Sequence, residues 1–515
     1  MRLSSLSWEW GISNFFLEDI PFSLSTGKIF ASRIASLIAE LKQPDLQIFE
    51  CGAGMGMLSK HVLDILKVNY PSVYKRVHWT VTEYSKQMVD QWPHKRSRLS
   101  IKWMNVLDPH FEPDEKPAVV IMSYLLDSLA ARHIDVKKGQ LYEIQIRTLI
   151  PDNAVILDTT TFPPKILKAD DIRDLLQSGN DERVRILAPA FKKWIREERV
   201  WVPINQIKNW YPGEKKELET FAATLKSARF NFDYRVGQAI KKIMKQMPEE
   251  SMMLIHDFGF SRKNAKLHLD RLVSHYGAAC FYSVYFPYLR SLTEKSFITK
   301  NKEGETQLLV LYKGEHPPKE KFRQLFPNVG YEKIHVLMEK INIRDFDIGH
   351  LSSEEKESYY LNIQLAARSL EAGLYEQAIA YAQKTIDSYG SISLAGYLIQ
   401  GKSFMKMGQI EKAESCFKNI LKTSPVFPPA FSELARLYGH QKDYKKSVEC
   451  AKKYIKYCGD QTIWEHLVTI ALMDLELKNT KEAGKIIDWI IKSYPMVSPE
   501  PIFRKAEFIK KTFKL

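Results

Sequence analysis

The sequence predicts a doubly wound α/β domain followed by an all-α superhelical array. Three observations carry this. Apolar, β-rich runs alternate with amphipathic ones through about residue 315, as in parallel strands joined by helices. The stretch Ile48-Phe49-Glu50-Cys51-Gly52-Ala53-Gly54-Met55-Gly56-Met57-Leu58 places three alternate glycines between a strand and a helix. From about residue 360 the chain repeats itself with a period near 34 residues. A chain of 515 residues has room for more than one such domain.

The elements follow in order. A Ser/Thr/Gly cluster ending at Gly27 starts a helix whose Ile34, Leu37, Ile38 and Leu41 share one face. Leu46 to Glu50 is the first strand, and Leu58 to Val68 the helix after the glycine turn. Val77-His78-Trp79-Thr80-Val81-Thr82-Glu83 is a second strand ending in an acid, and Ser85 is placed to cap the helix beyond. A third strand lies near Ser100 to Val106. Ala118-Val119-Val120-Ile121-Met122 is a continuous apolar run, as in a strand buried on both faces. Residues 165–250 are rich in helix formers, charges and tryptophans (Trp194, Trp201, Trp210) and read as a helical insertion, either a substrate-pocket wall or a structural lid. The sheet resumes at Met252 to Gly259, with further strands at Ala279–Phe286 and Gln307–Tyr312.

Glycines in the first turn let the backbone bend sharply and come close to a ligand. A dinucleotide fingerprint needs G-x-G-x-x-G, and here the third glycine comes one residue early. The pattern Glu50-x-Gly52-x-Gly54-x-Gly56 resembles motif I of class I S-adenosylmethionine (SAM) methyltransferases, a Rossmann-like fold. That resemblance implies that Glu50, Gly52, Ala53, Gly54, Gly56, Glu83, Tyr84 and Ser123 surround SAM, with Glu83 on the ribose hydroxyls. The competing reading is a glycine turn without a ligand. Asp127, His256 and Asp257 sit at predicted strand ends and are the candidate catalytic groups. Against that stand a helix cap for Asp127, a turn for Asp257 and a core position for His256.

Several blocks in order resemble the MidA-like family, SAM methyltransferases that include a mitochondrial complex I assembly factor. They are Gly27-Lys28-Ile29-Phe30-Ala31, the glycine turn, Glu83-Tyr84-Ser85 with Gln91, Leu125-Leu126-Asp127-Ser128-Leu129, and Leu254-Ile255-His256-Asp257-Phe258-Gly259. The family has Asn-Glu just before the fourth block, where this chain has Ser123-Tyr124. A tyrosine cannot pair with a guanidinium as a carboxylate does, which places arginine as the acceptor in question.

The net charge of +14 is spread along the chain, which is thin support for a nucleic-acid partner. No apolar run approaches the ~20 residues that span a bilayer. No secretory signal is read at the N-terminus. Five cysteines without a C-x-x-C suit reduced thiols and a cytoplasmic setting. No zinc-type spacing appears, so no metal is expected.

In the C-terminal array, Gly373-Leu374-Tyr375-Glu376-Gln377-Ala378 recurs at Gly408, and more weakly at Gln441 and Asn479. Ala378, Ala413, Ser447 and Ala483 mark the tetratricopeptide period, with small residues where paired helices touch, and Pro425 and Pro428 fall between repeats. The groove of such an array suits a protein or peptide partner, the alternative being a self-packing or dimerising tail. The expected plan is a methyltransferase domain over 1–315 with an insertion at about 165–250, a linker over 316–358 and tetratricopeptide repeats over 359–515. The expected activity is SAM-dependent methylation of a protein side chain recruited by the array. The alternatives are a SAM-binding scaffold without turnover and a small-molecule or RNA methyltransferase. The sequence leaves the oligomeric state open.

Overall fold

The computed structural model describes residues 27–54, 56–84, 86, 89, 97–276, 279–301, 306–327, 359–459 and 463–515. The β-rich runs become the strands β1 (Leu46–Cys51), β2 (Val77–Glu83), β3 (Leu99–Trp103) and β4 (Val119–Ser123). All four lie parallel, in the order β4-β1-β2-β3. The chain turns outward after β1 and returns to its other side at β4. The site therefore falls at a topological switch point, outside the carboxyl ends of β1 and β4. Helix α1 (Lys28–Ile38) buries Ile34, Leu37 and Ile38, and α2 (Met57–Asn69) buries Leu58, Val62, Leu63 and Leu66, both at helical spacing. The short α3 (Pro71–Tyr74) leads into β2. The helix expected from Ser85 falls largely outside the described residues.

Beyond β4, strands β5 (Arg132–Lys137) and β6 (Gln140–Leu149) start a second sheet. The hairpin β7 (Val155–Asp158) and β8 (Lys165–Lys168) follows, then α4 (Ala169–Gln177), α5 (Asp181–Lys192), β9 (Arg196–Pro203), α6 (Glu214–Ala222), β10 (Ala228–Phe232) and α7 (Tyr234–Gln246). The order in the second sheet is β10-β5-β6-β9. The stretch expected to be helical thus also carries strands. Polar–apolar alternation in Ala-Arg-Phe-Asn-Phe is a period-2 signal for β10, whereas Arg-Glu-Glu-Arg-Val-Trp-Val in β9 carries none. Trp201 donates its indole N–H to Asp135 at 2.9 Å, and the Arg132 guanidinium lies 4.5 Å above the Trp210 ring.

The first sheet is completed by β11 (Ser251–Phe260), parallel to β4. After the hairpin β12 (Val273–Tyr276) and β13 (Ala279–Tyr282), β14 (Val284–Tyr285) pairs with the end of β11. The single strand expected over Ala279–Phe286 is therefore split, its last residue opening α8 (Phe286–Arg290). Strands β15 (Ser296–Ile298) and β16 (Thr306–Lys313) run antiparallel, β16 alongside β11. Residues 316–327, expected to begin a linker, hold α9 (Lys319–Leu325), and Phe322 packs edge-on against Phe297 in the sheet's core.

The chain divides into two compact units. The first contains Asp19–Arg147 and Arg199–Leu361, and the second contains Thr148–Glu198 and Asn362–Leu515. The second holds α4 and α5 and, from Tyr359 on, the array helices α10 (Tyr359–Glu371), α11 (Tyr375–Tyr389), α12 (Leu394–Lys406), α13 (Ile410–Thr423), α14 (Pro428–His440), α15 (Tyr444–Cys458), α16 (Trp464–Glu476), α17 (Thr480–Ser493) and α18 (Glu500–Phe513). Ala378, Ala413, Ser447 and Ala483 are fully buried where the paired helices meet. Residues 148–198 pack on this array: Leu157 and Ile166 join the core around Ile455 and Trp464, and Tyr457 packs beside Leu187 and Phe191.

Each repeat ends its first helix in the same way. Gly373, Gly408, Lys442 and Lys478 have φ of 76°, 76°, 62° and 61°. The next residue's N–H then donates five positions back, to Ser369, Phe404, Tyr438 and Asp474. Left-handed backbone costs a residue with a Cβ about 1–2 kcal/mol. The greater freedom of unfolded glycine offsets about half of that. Lys442→Gly and Lys478→Gly are expected to stabilise the chain by up to about 1 kcal/mol each. Urea titration followed by circular dichroism checks this, as a rise in midpoint.

Candidate active site

The turn after β1 is shaped by backbone that side chains avoid. Gly52, Gly54 and Gly56 have φ of 64°, 55° and 67°. A Cβ on Gly52 would also lie 2.7 Å from Leu125 Cδ1. The Gly52 and Ala53 N–H groups donate to the Thr82 carbonyl, which pins the turn to β2. Gly56 then starts α2 with no side chain capping it.

Glu83, at the end of β2, stands across that turn. Its Oε2 accepts the Gly54 N–H at 3.2 Å and its Oε1 accepts the Tyr84 N–H at 2.9 Å. The carboxylate is half-buried and stands between the ends of β1 and β2. Tyr84 is exposed, with its ring centroid 6.0 Å from that of Trp103 at the end of β3. The Trp103 indole N–H donates to the Tyr84 carbonyl at 2.7 Å. The two rings make an aromatic platform beside Glu83. Sequence reasoning passed over Trp103, although a tryptophan ending a strand next to an acid-ended strand is a readable signal.

Glu50, predicted beside the cofactor, lies elsewhere. Alternate residues of a strand face opposite ways, and Glu50 shares its face with Leu46 and Ile48, toward α2. Its Oε2 accepts the Trp79 indole N–H at 3.2 Å, while the hydroxyl of Ser59 in α2 donates to the Gly56 carbonyl at 2.8 Å. Burial outweighs the bond to Trp79 and pushes its carboxyl up to about 8, so it is neutral at pH 7 and acts as a strut behind the turn.

The loop after β4 is held by β11. Asp257 Oδ2 accepts the Leu126 and Asp127 N–H groups at 2.8 and 3.2 Å, and Oδ1 accepts the Phe258 N–H at 2.8 Å. Both Asp127 and Asp257 are buried. Burial, together with the neighbouring acid, holds Asp127 well above the usual carboxylate range, while burial pushes Asp257 up to about 7. Two such acids share one proton at neutral pH and carry one negative charge. Asp127 Oδ1 takes no hydrogen bond among the described residues. Ser123 Oγ lies 3.2 Å from His256 Nδ1. His256 is fully buried, its ring stacked 4.4 Å from Phe30, and burial lowers it to about 3, so it is a neutral core residue. Tyr124 is buried against His256 and Phe258. The structure thus brings together Gly52, Gly54, Glu83 and Tyr84 on one side and Ser123, Asp127 and Asp257 on the other, bridged by the Gly52–Leu125 contact.

Residues 29–286 match the model of a family described as putative S-adenosyl-L-methionine-dependent methyltransferase. A search of curated proteins finds no match. Among solved structures, a COG1565 superfamily member from Burkholderia thailandensis, bound to S-adenosyl-homocysteine, is 12% identical. That match covers 68% of this chain and 74% of that one, with a TM-score of 0.30. A tetratricopeptide protein from Thermus thermophilus is 16% identical over 30% of this chain and 81% of its own, with a TM-score of 0.25.

The Glu50 strut has a signature in stability. Its folded-state pKa of about 8 lies above the ordinary 4.5. The folded chain therefore keeps a proton that the unfolded chain releases, and stability is lost as pH rises between those values. Glu50→Gln keeps an acceptor for Trp79 and cannot ionise. Its stability relative to wild type is expected to improve from pH 5 to pH 8, read from urea midpoints at both.

Proposed function

Because the chain belongs to the family of putative S-adenosyl-L-methionine-dependent methyltransferases, we propose that it methylates a protein side chain held outside the carboxyl ends of β1 and β4. Its cofactor is SAM, which when bound supplies an electrophilic methyl group on a sulfonium. The observation that carries the reading is the Glu83 carboxylate held across a side-chain-free turn. The Gly52–Gly54 backbone admits close approach, Glu83 takes the ribose hydroxyls, and Tyr84 with Trp103 offers ring faces to the purine. Ser123, at the end of β4, lines the methionine side.

Asp257 is a positioning residue, because its oxygens are committed to the backbone of 126, 127 and 258. Asp127 shares the pair's proton and is a poor base at neutral pH. The pair's single negative charge complements cations brought beside it. The tetratricopeptide array recruits the protein partner, and thiols free of disulfides at Cys51, Cys416, Cys450 and Cys458 suit the cytoplasm. A scaffold that binds SAM without turnover is the second reading. It is favoured by Ser123-Tyr124, which leaves no carboxylate where the MidA-like pattern has one.

Losing the two hydrogen bonds of a charged group costs about 1.5–3 kcal/mol each. Glu83→Ala is therefore expected to weaken SAM binding by at least about tenfold in calorimetry. Asp257→Asn cannot accept the loop's N–H groups with both atoms, and is expected to raise the KM for SAM as Leu125 leaves Gly52. Methyl-labelled SAM incubated with a lysate tests the acceptor. Label in protein supports the proposal, whereas label in RNA, in small molecules or nowhere overturns it.

A further inference from the structure

The positive charge of the array is gathered around α17 and α18. Residues 478–515 hold nine Lys and Arg against four Asp and Glu, whereas 359–477 hold fourteen against twelve. On α18 these cations surround an aromatic side chain. Phe508 is 70% exposed. Residues three or four apart are neighbours on a helix surface, and those of Phe508 are Arg504, Lys505, Lys511 and Thr512, all exposed. We propose that this face of α18 docks the chain reversibly on an anionic lipid bilayer, with the Phe508 ring at the hydrocarbon boundary and the cations at the level of the phosphates. Methyl transfer plays no part in this contact.

The core of the array does not account for Phe508. Ile502, Ala506 and Ile509 form the stripe by which α18 packs against the preceding helices, and Phe508 lies on the other side. Phe513 continues the buried stripe by one turn and is itself 49% exposed. A single exposed phenyl is ordinary on its own. A phenyl ringed by cations is a different surface, because it pairs apolar area with charge of one sign. Arg504, Lys505 and Lys510 lie beside Glu500, Glu465 and Asp488. Exposed pairs of this kind are weak, so these cations exchange their partners for lipid phosphates at little cost. Lys511 and Lys514 make no ion pair among the described residues.

The shape of the patch favours a bilayer over a protein. Peptides are held in grooves, and a protruding phenyl would need an apolar socket rimmed with acids in its partner. A bilayer offers an anionic layer over hydrocarbon and needs no matching shape. A second copy of the chain fits poorly, because two such faces brought together oppose like charges. Attachment is at the surface: among the described residues no helix is long and apolar enough to cross a membrane.

The test uses the full chain with vesicles of phosphatidylcholine alone or of equal phosphatidylcholine and phosphatidylglycerol, binding being read by co-sedimentation. Wild type is expected to bind the anionic vesicles and not the neutral ones. Salt at about 1 M, where the Debye length falls to about 3 Å, is expected to release it. Phe508→Ala is expected to weaken binding by about tenfold, and Lys511→Gln combined with Lys514→Gln by about thirtyfold. All three positions are exposed, so helical circular dichroism and SAM affinity are expected to match wild type in both variants. Hexaglutamate and a thymidine oligonucleotide are titrated in parallel. Failure of wild type to sediment with anionic vesicles, equal binding to neutral ones, or undiminished binding by either variant overturns the proposal. Tighter binding to hexaglutamate or to the oligonucleotide that depends on Phe508 also overturns it, and assigns the face to an acidic protein segment or to a nucleic acid.

Discussion

The site keeps its shape through one buried carboxylate. Asp257 gathers the N–H groups of Leu126, Asp127 and Phe258, and so ties the loop after β4 to the end of β11. Hydrogen bonds to a charged group are worth about 1.5–3 kcal/mol each, whereas removing a carboxylate from water costs several. The two nearly balance, and a shared proton with Asp127 settles the remainder. The loop so held sets Leu125 against Gly52, where a Cβ would collide. Turn and loop are therefore one mechanical unit, and the geometry of each depends on a group whose oxygens are committed to the backbone.

The parts of this that were legible in the sequence are the parts that punctuation encodes. Alternate glycines require positive φ, and an acid closing a β-rich run stands at a strand end, so Gly52, Gly54, Gly56 and Glu83 could be placed from spacing alone. The small residues Ala378, Ala413, Ser447 and Ala483 could be placed because only a tight helix crossing explains them. Glu50 was misread for a physical reason. In a strand buried on both faces, apolar neighbours do not say which face meets the ligand. Only the indole of Trp79 decides it.

The segment between β6 and β9 shows the same limit at larger scale. Its helix formers and charges were readable, but its partners were not. Residues 148–198 bury Leu157 and Ile166 among array helices hundreds of positions later. Asp158, fully buried, is held by Arg183 through Nε at 3.0 Å and Nη2 at 2.6 Å. A buried charge left without its partner is strongly destabilising, so this pair, with both nitrogens on Oδ2, fixes how the hairpin meets α5. Part of the array's apolar surface is thereby spent within the chain.

Tyr124 joins the two halves of the argument. Its φ of 49° is left-handed backbone for a bulky residue, and its N–H donates to the His256 carbonyl at 2.8 Å. Such a conformation costs about 1–2 kcal/mol and persists only where surroundings over-determine it. Here they do: His256 and Phe258 hold the ring, and Asp257 holds the N–H groups of Leu126 and Asp127. The bend it forces is what sends Leu125 toward Gly52. A buried tyrosine at this position keeps the bend and offers no carboxylate to a ligand.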